Sequence, residues 1–291
     1  MSYADFKKKH IDARIFGGTF TRIPDWDRAA SAITVENAVS IEPVNMVEHS
    51  LVPSYGRGDE EGSVEGTMGR RVYVEYGVYR SNMLYSPHRA GKHFLGANDL
   101  AEFWRGLIHG AEYTRSAVRP SVHLRRVVVW VYNERFPAGV TEARLRDLTR
   151  VRQGGESWDQ IEFSLDTASA RGVTCVQWTD GTWDVPPPTD PSVRWVASAF
   201  WEVVQSNPNG DPDNGGAPRE RSDGRGVISY EAIKRWIREF LAAEGHALAM
   251  PRGGDFASIQ DACVPPAERK PVKAAKKKKT PEAGASGEIE T

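Results

Sequence analysis

NPNGDPDNGGAPR, residues Asn207–Arg219, is the most informative stretch of this sequence. Glycine and asparagine tolerate positive φ angles, aspartate and asparagine side chains bond to nearby backbone amides, and proline fixes φ. This composition predicts a tight, pre-ordered loop. The aromatic-rich run Val193–Gln205 before the loop predicts a strand, and apolar residues at helical spacing from Ser229 to Ala243 predict a helix after it. The sequence therefore predicts a strand–loop–helix unit.

A calcium site is the main structural alternative for this loop. The spacing Asp211-x-Asp213-x-Gly215 resembles the start of a calcium-binding loop. Counting from Asp211, however, the twelfth position is Ser222, where such loops need a carboxylate. We therefore predict no metal in the loop, and we find no indication of a cofactor elsewhere in the sequence.

Periodicity predicts the elements that precede the loop. Arg71–Tyr85 alternates apolar and polar residues as a half-buried strand does, and Ala97–Tyr113 places apolar residues at helical spacing. Val122–Tyr132 contains three consecutive valines, which indicates a strand buried on both faces. The other predicted elements are a short strand at Asp12–Phe20, extended chain at Ile33–Val52, a loop at Ser86–Gly96, a helix at Thr141–Arg152, and a pair of strands at Gln160–Leu165 and Val173–Trp178.

A proline-rich spacer and a low-complexity tail divide the chain. Stacked prolines in residues 184–192 favour an extended, semi-rigid connector. Beyond about Pro265 the sequence is dominated by proline, alanine, lysine, glycine and glutamate, so we expect the basic tail, residues 266–291, to be disordered. We expect residues 193–265 to complete the same domain as residues 1–183.

The composition is typical of a soluble globular protein, since 40 % of the 291 residues are hydrophobic and 26 % are charged. No apolar run approaches the ~20 residues that cross a bilayer, and Met1–His10 does not have the pattern of a signal peptide. We therefore predict a cytoplasmic protein without a membrane partner. Cys175 and Cys263 have no neighbouring cysteine, which argues against a disulfide framework or a zinc site.

Charge is nearly balanced overall but uneven along the chain. The net charge is −1, whereas freely acting RNA-binding proteins are usually basic. Two segments are locally basic: residues 68–93 contain five Lys or Arg residues and one acidic residue, and residues 105–126 contain five arginines and one glutamate. If both segments lie on one face, they form a basic groove suited to phosphates.

Three stretches of this chain match the sequence pattern of one known family. The first is NPNGDPDNGGAPR followed by GRGVISYEAIKRWIREFL. The second is GTMGRRVYVEYGVYRSNMLYSP, Gly66–Pro87, followed by the predicted helix and Thr114-Arg115-Ser116. The third combines DARIFGGTF, Asp12–Phe20, with ENAVSIEPVNMVEHS, Glu36–Ser50. Together they cover most of the chain outside the spacer and the tail, and they resemble the repeated, guide-RNA-holding backbone subunit of type I CRISPR surveillance complexes, types I-B and I-C in particular.

The order of these stretches differs from that of the family, in which the NPNGDPD segment opens the protein. We therefore expect a circularly permuted chain, in which the spacer joins the family's last strand, near Trp183, to its first strand at Val193. Such a rearrangement is physically reasonable because domain termini are exposed and often close together. The resemblance implies an α+β fold: a modified RNA-recognition or ferredoxin-like β-α-β-β-α-β palm with inserted loops.

The resemblance also implies a function. The chain would be a non-catalytic subunit that binds CRISPR guide RNA, stacks with further copies of itself and other Cascade subunits, and supports pairing to target DNA. In the family a thumb from each copy interrupts the base pairing, and Thr21–Ala32 is our candidate for it. Basic side chains would hold the RNA backbone without reading its sequence, because base pairing reads the target.

The residues predicted to contact RNA are basic side chains of the two arginine-rich segments, polar and glycine residues of the loop, and two residues of the candidate thumb. They are Arg70, Arg71, Arg80, His88, Arg89, Lys92, Arg115, Arg119, Arg125, Asn207, Asn209, Gly210, Arg219, Trp26 and Arg28. Loop amides would hold a phosphate as a backbone nest does. The more ordinary alternatives are surface ion pairs for the arginines and a core position for the tryptophan.

Two other functions stay open from the sequence. A ribonuclease would use a metal held by Asp211 and Asp213, or histidines as general acid and base, with His88 and His93 in the best cluster. No nucleophile–base motif accompanies these residues. A pure protein-interaction module would bind no RNA.

Overall fold

The computed structural model of the protein describes residues 3–18, 30–51, 69–133 and 140–249. Its helices are α1 (Tyr3–Lys9), α2 (Ile11–Phe16), α3 (Pro87–Lys92), α4 (Ala97–Tyr113), α5 (Glu142–Leu148) and α6 (Tyr230–Ala243). Its strands are β1 (Ile33–Val35), β2 (Ala38–Ser40), β3 (Met46–Leu51), β4 (Gly69–Tyr85), β5 (Val122–Tyr132), β6 (Thr149–Gln153), β7 (Ile161–Leu165), β8 (Val173–Thr179), β9 (Thr182–Trp183), β10 (Trp195–Ser206), β11 (Arg219–Glu220) and β12 (Gly226–Ile228).

Two long antiparallel strands, β4 and β10, form the centre of the main sheet. Their register aligns Trp195 with Tyr85 and Ser206 with Val74. The strand order is β11-β12-β2-β4-β10-β5-β8-β9, and β1 and β3 also pair with β4. All of these pairs are antiparallel. The mixture of helices with a mostly antiparallel sheet confirms the predicted α+β class, and β4, β5, β10, α4 and α6 confirm the clearest periodicities.

Helices α4 and α6 cover one face of the sheet and cross at two glycines. A Cβ atom on Gly110 would lie 2.8 Å from the backbone carbon and oxygen of Trp236, and one on Gly106 would lie 2.8 Å from Cγ2 of Ile237. The close crossing therefore requires glycine at these two positions, because a Cβ atom at either would clash with α6. It buries Trp236 against Trp201 in the main core, with ring centroids 5.5 Å apart.

Helix α5 and the β6–β7 hairpin cover the middle of the opposite face. Leu145 and Leu148 are buried there in a second cluster with Trp130 and Phe200. Arg80 of β4 fastens this unit to the sheet. Its guanidinium donates hydrogen bonds to the carbonyl oxygens of residues 146 and 149, at 3.0 and 3.1 Å, and to the hydroxyl of residue 198 at 3.0 Å. The carbonyls at the end of a helix lack partners within it, so Arg80 caps α5.

The N-terminal residues form two helices, so the strand predicted at Asp12–Phe20 is wrong over its described part. The buried Asp12 carboxylate accepts hydrogen bonds from the amides of Ala13 and Ala249, at 3.0 and 2.7 Å, and lies 3.3 Å from Nε of Arg238. The amide of Ile11 donates to the carbonyl of residue 247 at 3.2 Å. Contacts with residues more than two hundred positions away thus stabilise this segment. The local sequence pattern cannot reveal such contacts.

The proline-rich spacer is fixed to the core. The indole of Trp104 donates a hydrogen bond to the Pro188 carbonyl at 3.1 Å, and the Tyr85 hydroxyl donates to the Pro191 carbonyl at 2.8 Å. The spacer connects Trp183 to Trp195, and both rings contact Trp104, at centroid distances of 5.5 and 4.8 Å. The strands on either side of the spacer therefore end near the same core residue.

Several other local predictions need correction. Ser86–Gly96 contains α3, since Pro87 stands at its first position with φ already suited to a helix. The predicted helix Thr141–Arg152 ends at Leu148 and continues as β6. The strands predicted as a pair lie apart, since β7 pairs with β6 and β8 with β5.

None of the helices in the described ranges is long and apolar enough to cross a bilayer. Trp26, Arg28, Cys263 and the tail at 266–291 lie outside the described residues.

Candidate nucleic-acid interface

The loop between β10 and β11 is pre-ordered by its own hydrogen bonds, as predicted. The Asp211 amide donates to the Ala217 carbonyl, and the Gly216 amide donates to the Asp211 carbonyl, both at 2.7 Å. Gly215 and Gly216 have φ angles of 57° and 81°, which glycine adopts at little cost. The Ala217 amide donates to the Asn214 carbonyl at 3.0 Å. Because the amides of Asp211, Gly216 and Ala217 are occupied in this way, the predicted phosphate nest is not available at those three residues.

Two asparagines anchor the loop to its neighbours. Nδ2 of Asn207 donates to the Gly216 carbonyl at 2.7 Å, and the Asn207 amide donates to the Val118 carbonyl at 2.9 Å. Oδ1 of Asn209 accepts a hydrogen bond from the amide of Ser229, the residue that caps α6, at 2.7 Å. The loop is thereby held between α6 and the turn that follows α4.

A first cleft, which we call the strand cleft, opens between this loop and β4. It has a volume of about 770 Å³ and is lined by Met46, Arg70–Tyr73, Ala117, Val118, Gln205, Asn207 and Asn214–Ala217. Arg71 is exposed there and forms no ion pair with a described carboxylate. Arg70 is 71 % exposed and pairs with Glu48 at 2.6 Å. The strand cleft thus presents two accessible guanidinium groups.

The backbone of Gln205 at the rim of the strand cleft is strained. Its φ angle is 42°, in the left-handed region that residues other than glycine rarely adopt. Such conformations cost about 1–3 kcal/mol and persist where the surrounding structure imposes them, often at binding sites. The strained residue lies at the end of β10, where the strand leads into the loop.

A second cleft, which we call the helix cleft, lies on the other side of Asn207. It has a volume of about 410 Å³ and is lined by Thr114–Ser116, Val118, Arg119, Asn207–Gly210, Gly216, Ala232, Arg235 and Trp236. Arg115 is about half exposed and lies 3.6 Å from Glu112. The Arg119 guanidinium lies 5.1 Å from the centroid of a Trp236 ring. The two clefts share Val118, Asn207 and Gly216 as a common wall, so together they form one continuous surface around the loop.

Arg235 is a cleft residue that the sequence analysis missed. It lies on the exposed side of α6 and pairs with Glu239 at 2.7 Å, one helical turn away. Its position on the polar stripe of an amphipathic helix was visible in the sequence, but its approach to the loop depends on how α6 packs. Two predicted loop residues have supporting roles: Arg219 lies 3.5 Å from Asp211, and a Cβ atom on Gly210 would lie 2.9 Å from the Gly216 carbonyl oxygen.

The structure does not bring all the predicted arginines to one face, so the expectation of a single basic groove was wrong. Arg80 points beneath α5, and burial lowers its pKa to about 10. Arg125 lies on the same face of the sheet, where it pairs with the buried Glu202 at 2.7 Å. That face is covered in its middle by α5 and the β6–β7 hairpin.

The cluster of His88, Arg89 and Lys92 lies at the other end of β4. These exposed side chains belong to α3, directly after the strand ends at Tyr85. Arg71 and Tyr85 are separated by roughly 45 Å along the strand at about 3.3 Å per residue. The cluster is therefore a surface separate from the two clefts.

The groups considered for a ribonuclease are dispersed. His93 is buried, and burial together with the Lys7 charge lowers its pKa, whereas His88 is exposed. Asp211 accepts a hydrogen bond from the Asp213 amide at 3.3 Å and so acts as the cap of a short turn. Within the described ranges, no group of three or more histidine, cysteine, aspartate or glutamate side chains could hold a metal ion.

Comparison with known proteins identifies the family. A search of curated proteins found no match. The profile of the family described as CRISPR-associated protein Cas7 matches residues 3–166 and 195–281. The match excludes residues 167–194, which contain the proline-rich spacer, and includes β4, the turn after α4 and the loop before α6. These are the elements that build both clefts. The chain belongs to the CRISPR-associated Cas7 family.

Proposed function

We propose that this protein is a non-catalytic backbone subunit of a type I CRISPR surveillance complex, similar to types I-B and I-C, and that it holds guide RNA in the strand and helix clefts. Family membership supports a backbone subunit of a CRISPR effector that binds CRISPR RNA. The observation that carries the assignment of the site is the continuous surface around Asn207. This surface combines accessible arginines with a rigid loop whose glycines would let RNA approach the main chain closely.

The charges of the clefts suit a sugar-phosphate backbone. Arg70, Arg71, Arg115, Arg119 and Arg235 line them. The carboxylates nearest to these arginines, such as Glu48 and Glu112, form exposed pairs that phosphates can displace at small cost. RNA would therefore be held mainly through its phosphates, and base pairing would read the target DNA.

We also propose that the chain is a circularly permuted, ferredoxin-like palm. Re-ordered as the family resemblance implies, strand one is β10, helix one is α6, strand two is β1 with β2, strand three is β4, helix two is α4 and strand four is β5. The observed order β5-β10-β4-β2 then corresponds to the 4-1-3-2 order of that palm. Further copies of the chain and other Cascade subunits would stack on it along the guide.

The proximity of residues 11 and 247 supports the permutation. The Ile11 amide donates a hydrogen bond to the Ala247 carbonyl at 3.2 Å, so in an unpermuted chain the segment after α6 could lead directly into α2. A survey of segment order among Cas7 proteins tests this proposal. If most relatives also place the NPNGDPD segment last, this chain has the ordinary order and is not permuted.

The assignment of the site is tested by RNA binding across a salt series. Arg71→Ala and Arg115→Ala are each expected to weaken binding of a labelled single-stranded RNA several-fold. Each is also expected to lower the slope of log affinity against log salt concentration by roughly 0.7, the contribution of one phosphate contact to a single strand. Fluorescence anisotropy at several salt concentrations measures both quantities.

The matched control is Arg152→Ala, because Arg152 is 79 % exposed on the β6–β7 hairpin, away from both clefts. It should bind as the unmodified protein does. Equal losses for all three variants would point to unspecific charge attraction and would contradict the site. The RNA should stay intact with and without magnesium, whereas cleavage that disappears in Asp211→Ala or His88→Ala would support the ribonuclease.

A further inference from the structure

Phe94 is an exposed aromatic residue held in an unfavourable backbone conformation. It follows α3, its side chain is 47 % exposed, and its φ angle is 59°. Glycine is the residue that usually ends a helix in this left-handed conformation, because it has no Cβ atom to clash. Neither burial nor backbone preference therefore explains a phenylalanine at this position.

Lysines of α1 surround the Phe94 ring. The ammonium of Lys8 lies 5.0 Å from the ring centroid and that of Lys7 lies 5.6 Å away. The Lys7 ammonium also donates a hydrogen bond to the Lys92 carbonyl at 2.7 Å, which joins α1 to α3. The ring is thus fixed beside positive charge while much of it faces solvent.

The two helices beside the ring carry several exposed cations. They are Lys8 and Lys9 in α1, which also contains the exposed Asp5, and Arg89 and Lys92 in α3. Over the described ranges, none of these four forms an ion pair with a carboxylate. The nearby Asp99, which lines a shallow cleft of about 410 Å³ with Lys8 and Phe94, is neutralised by the Arg14 guanidinium at 2.7 Å.

We propose that this surface, which we call the Phe94 surface, binds a single-stranded nucleic acid by stacking a base on Phe94 and placing the flanking phosphates at the lysines of α1 and α3. Aromatic rings set among cations are the usual platform for unpaired bases, because every base has a face to stack and every nucleotide carries a phosphate. An acidic protein segment would complement the charges but would leave the exposed ring without a partner.

This site is separate from the clefts that we assign to guide RNA. The Phe94 surface lies beyond the end of β4 at Tyr85, whereas the strand cleft lies at its start, roughly 45 Å away along the strand at about 3.3 Å per residue. The proposal therefore adds a second contact for a strand, and it does not depend on the function of the clefts.

Phe94→Gly provides the test, because it removes the aromatic ring and relieves the backbone strain at this position. The variant should melt at the same temperature as the unmodified chain or higher, and should bind oligouridylate or oligothymidylate about tenfold more weakly, within the range of one base–aromatic stack. Phe94→Tyr keeps the ring and should retain the affinity. The loss in Phe94→Gly should persist in an Arg71→Ala/Arg115→Ala background, which separates this site from the clefts.

Inorganic polyphosphate distinguishes stacking from charge. Phe94→Gly should bind polyphosphate normally, whereas Lys8→Ala/Lys9→Ala should lose affinity for both polyphosphate and oligonucleotide. A same-length duplex, whose bases are already stacked, should be insensitive to Phe94→Gly. Wild-type affinity of Phe94→Gly for single strands would overturn the proposal, and so would an equal loss for single strands and duplex.

Discussion

Replacing Gly110 by alanine is expected to lower the free energy of unfolding by about 2–3 kcal/mol, although alanine is the better helix former. The new methyl group would lie 2.8 Å from the backbone of Trp236, and a backbone cannot rotate away as a side chain can. Helices α4 and α6 would have to separate, which would loosen the buried contacts of Trp236 and Ile237. Thermal unfolding followed by circular dichroism should show a melting temperature lower by roughly 4–12 °C.

Gly91→Ala is the matched control. Gly91 also lies within a helix, but a Cβ atom there would meet nothing within 4 Å. The same substitution should therefore stabilise the protein by about 0.5–1 kcal/mol. If both alanines stabilise the protein, α4 and α6 do not cross as closely as described, and the position of the loop beside α6 is in doubt as well.

Replacing Arg80 by alanine is expected to cost about 3 kcal/mol of stability and to leave RNA affinity unchanged. The substitution removes the donor for two carbonyl oxygens at the end of α5 and opens a cavity beside Phe200, whose ring lies 5.8 Å from the guanidinium. Backbone amides of α5 and the β6–β7 hairpin should exchange hydrogen faster in the variant.

Arg150→Ala, at an exposed position of β6, should change neither stability nor exchange. The Arg80 variant also decides between two roles for that residue. If Arg80→Ala lowers RNA affinity as Arg71→Ala does and leaves stability intact, then Arg80 binds phosphate, as the sequence alone suggested.

The long helices and strands of this fold were predictable because each contains several repeats of its hydrophobic pattern. Arg71–Tyr85 and Ala97–Tyr113 contain enough turns or alternations to identify a strand and a helix, and Ser229 caps α6 as its sequence indicates. Short segments were not predictable. Asp12 lies in a helix because its carboxylate is bound by Arg238 and by the amide of Ala249, and such contacts depend on tertiary structure.

The candidate site was predictable only in part for the same reason. The composition of the loop predicted its rigidity, and Arg71 and Arg115, which were predicted to bind RNA, lie beside it. The alternation along β4 shows that the side chain of Arg80 lies on the opposite face of the sheet from those of the residues directly before and after it. The alternation does not show that α5 covers the face on which Arg80 lies. The position of Arg235 depends on the packing of α6 against the loop.

Mapping the contact points of bound RNA tests whether the strand and helix clefts hold guide RNA. A guide-length RNA carrying photoreactive 4-thiouridine is bound to the full chain, irradiated and digested, and the cross-linked peptides are identified by mass spectrometry. Apart from those at the Phe94 surface, cross-links should concentrate in peptides that contain residues 70–73, 115–119 and 205–217, the walls of the two clefts. Cross-links confined to α3 or to the β6–β7 hairpin, with none around the loop, would contradict the assignment of guide RNA to the clefts.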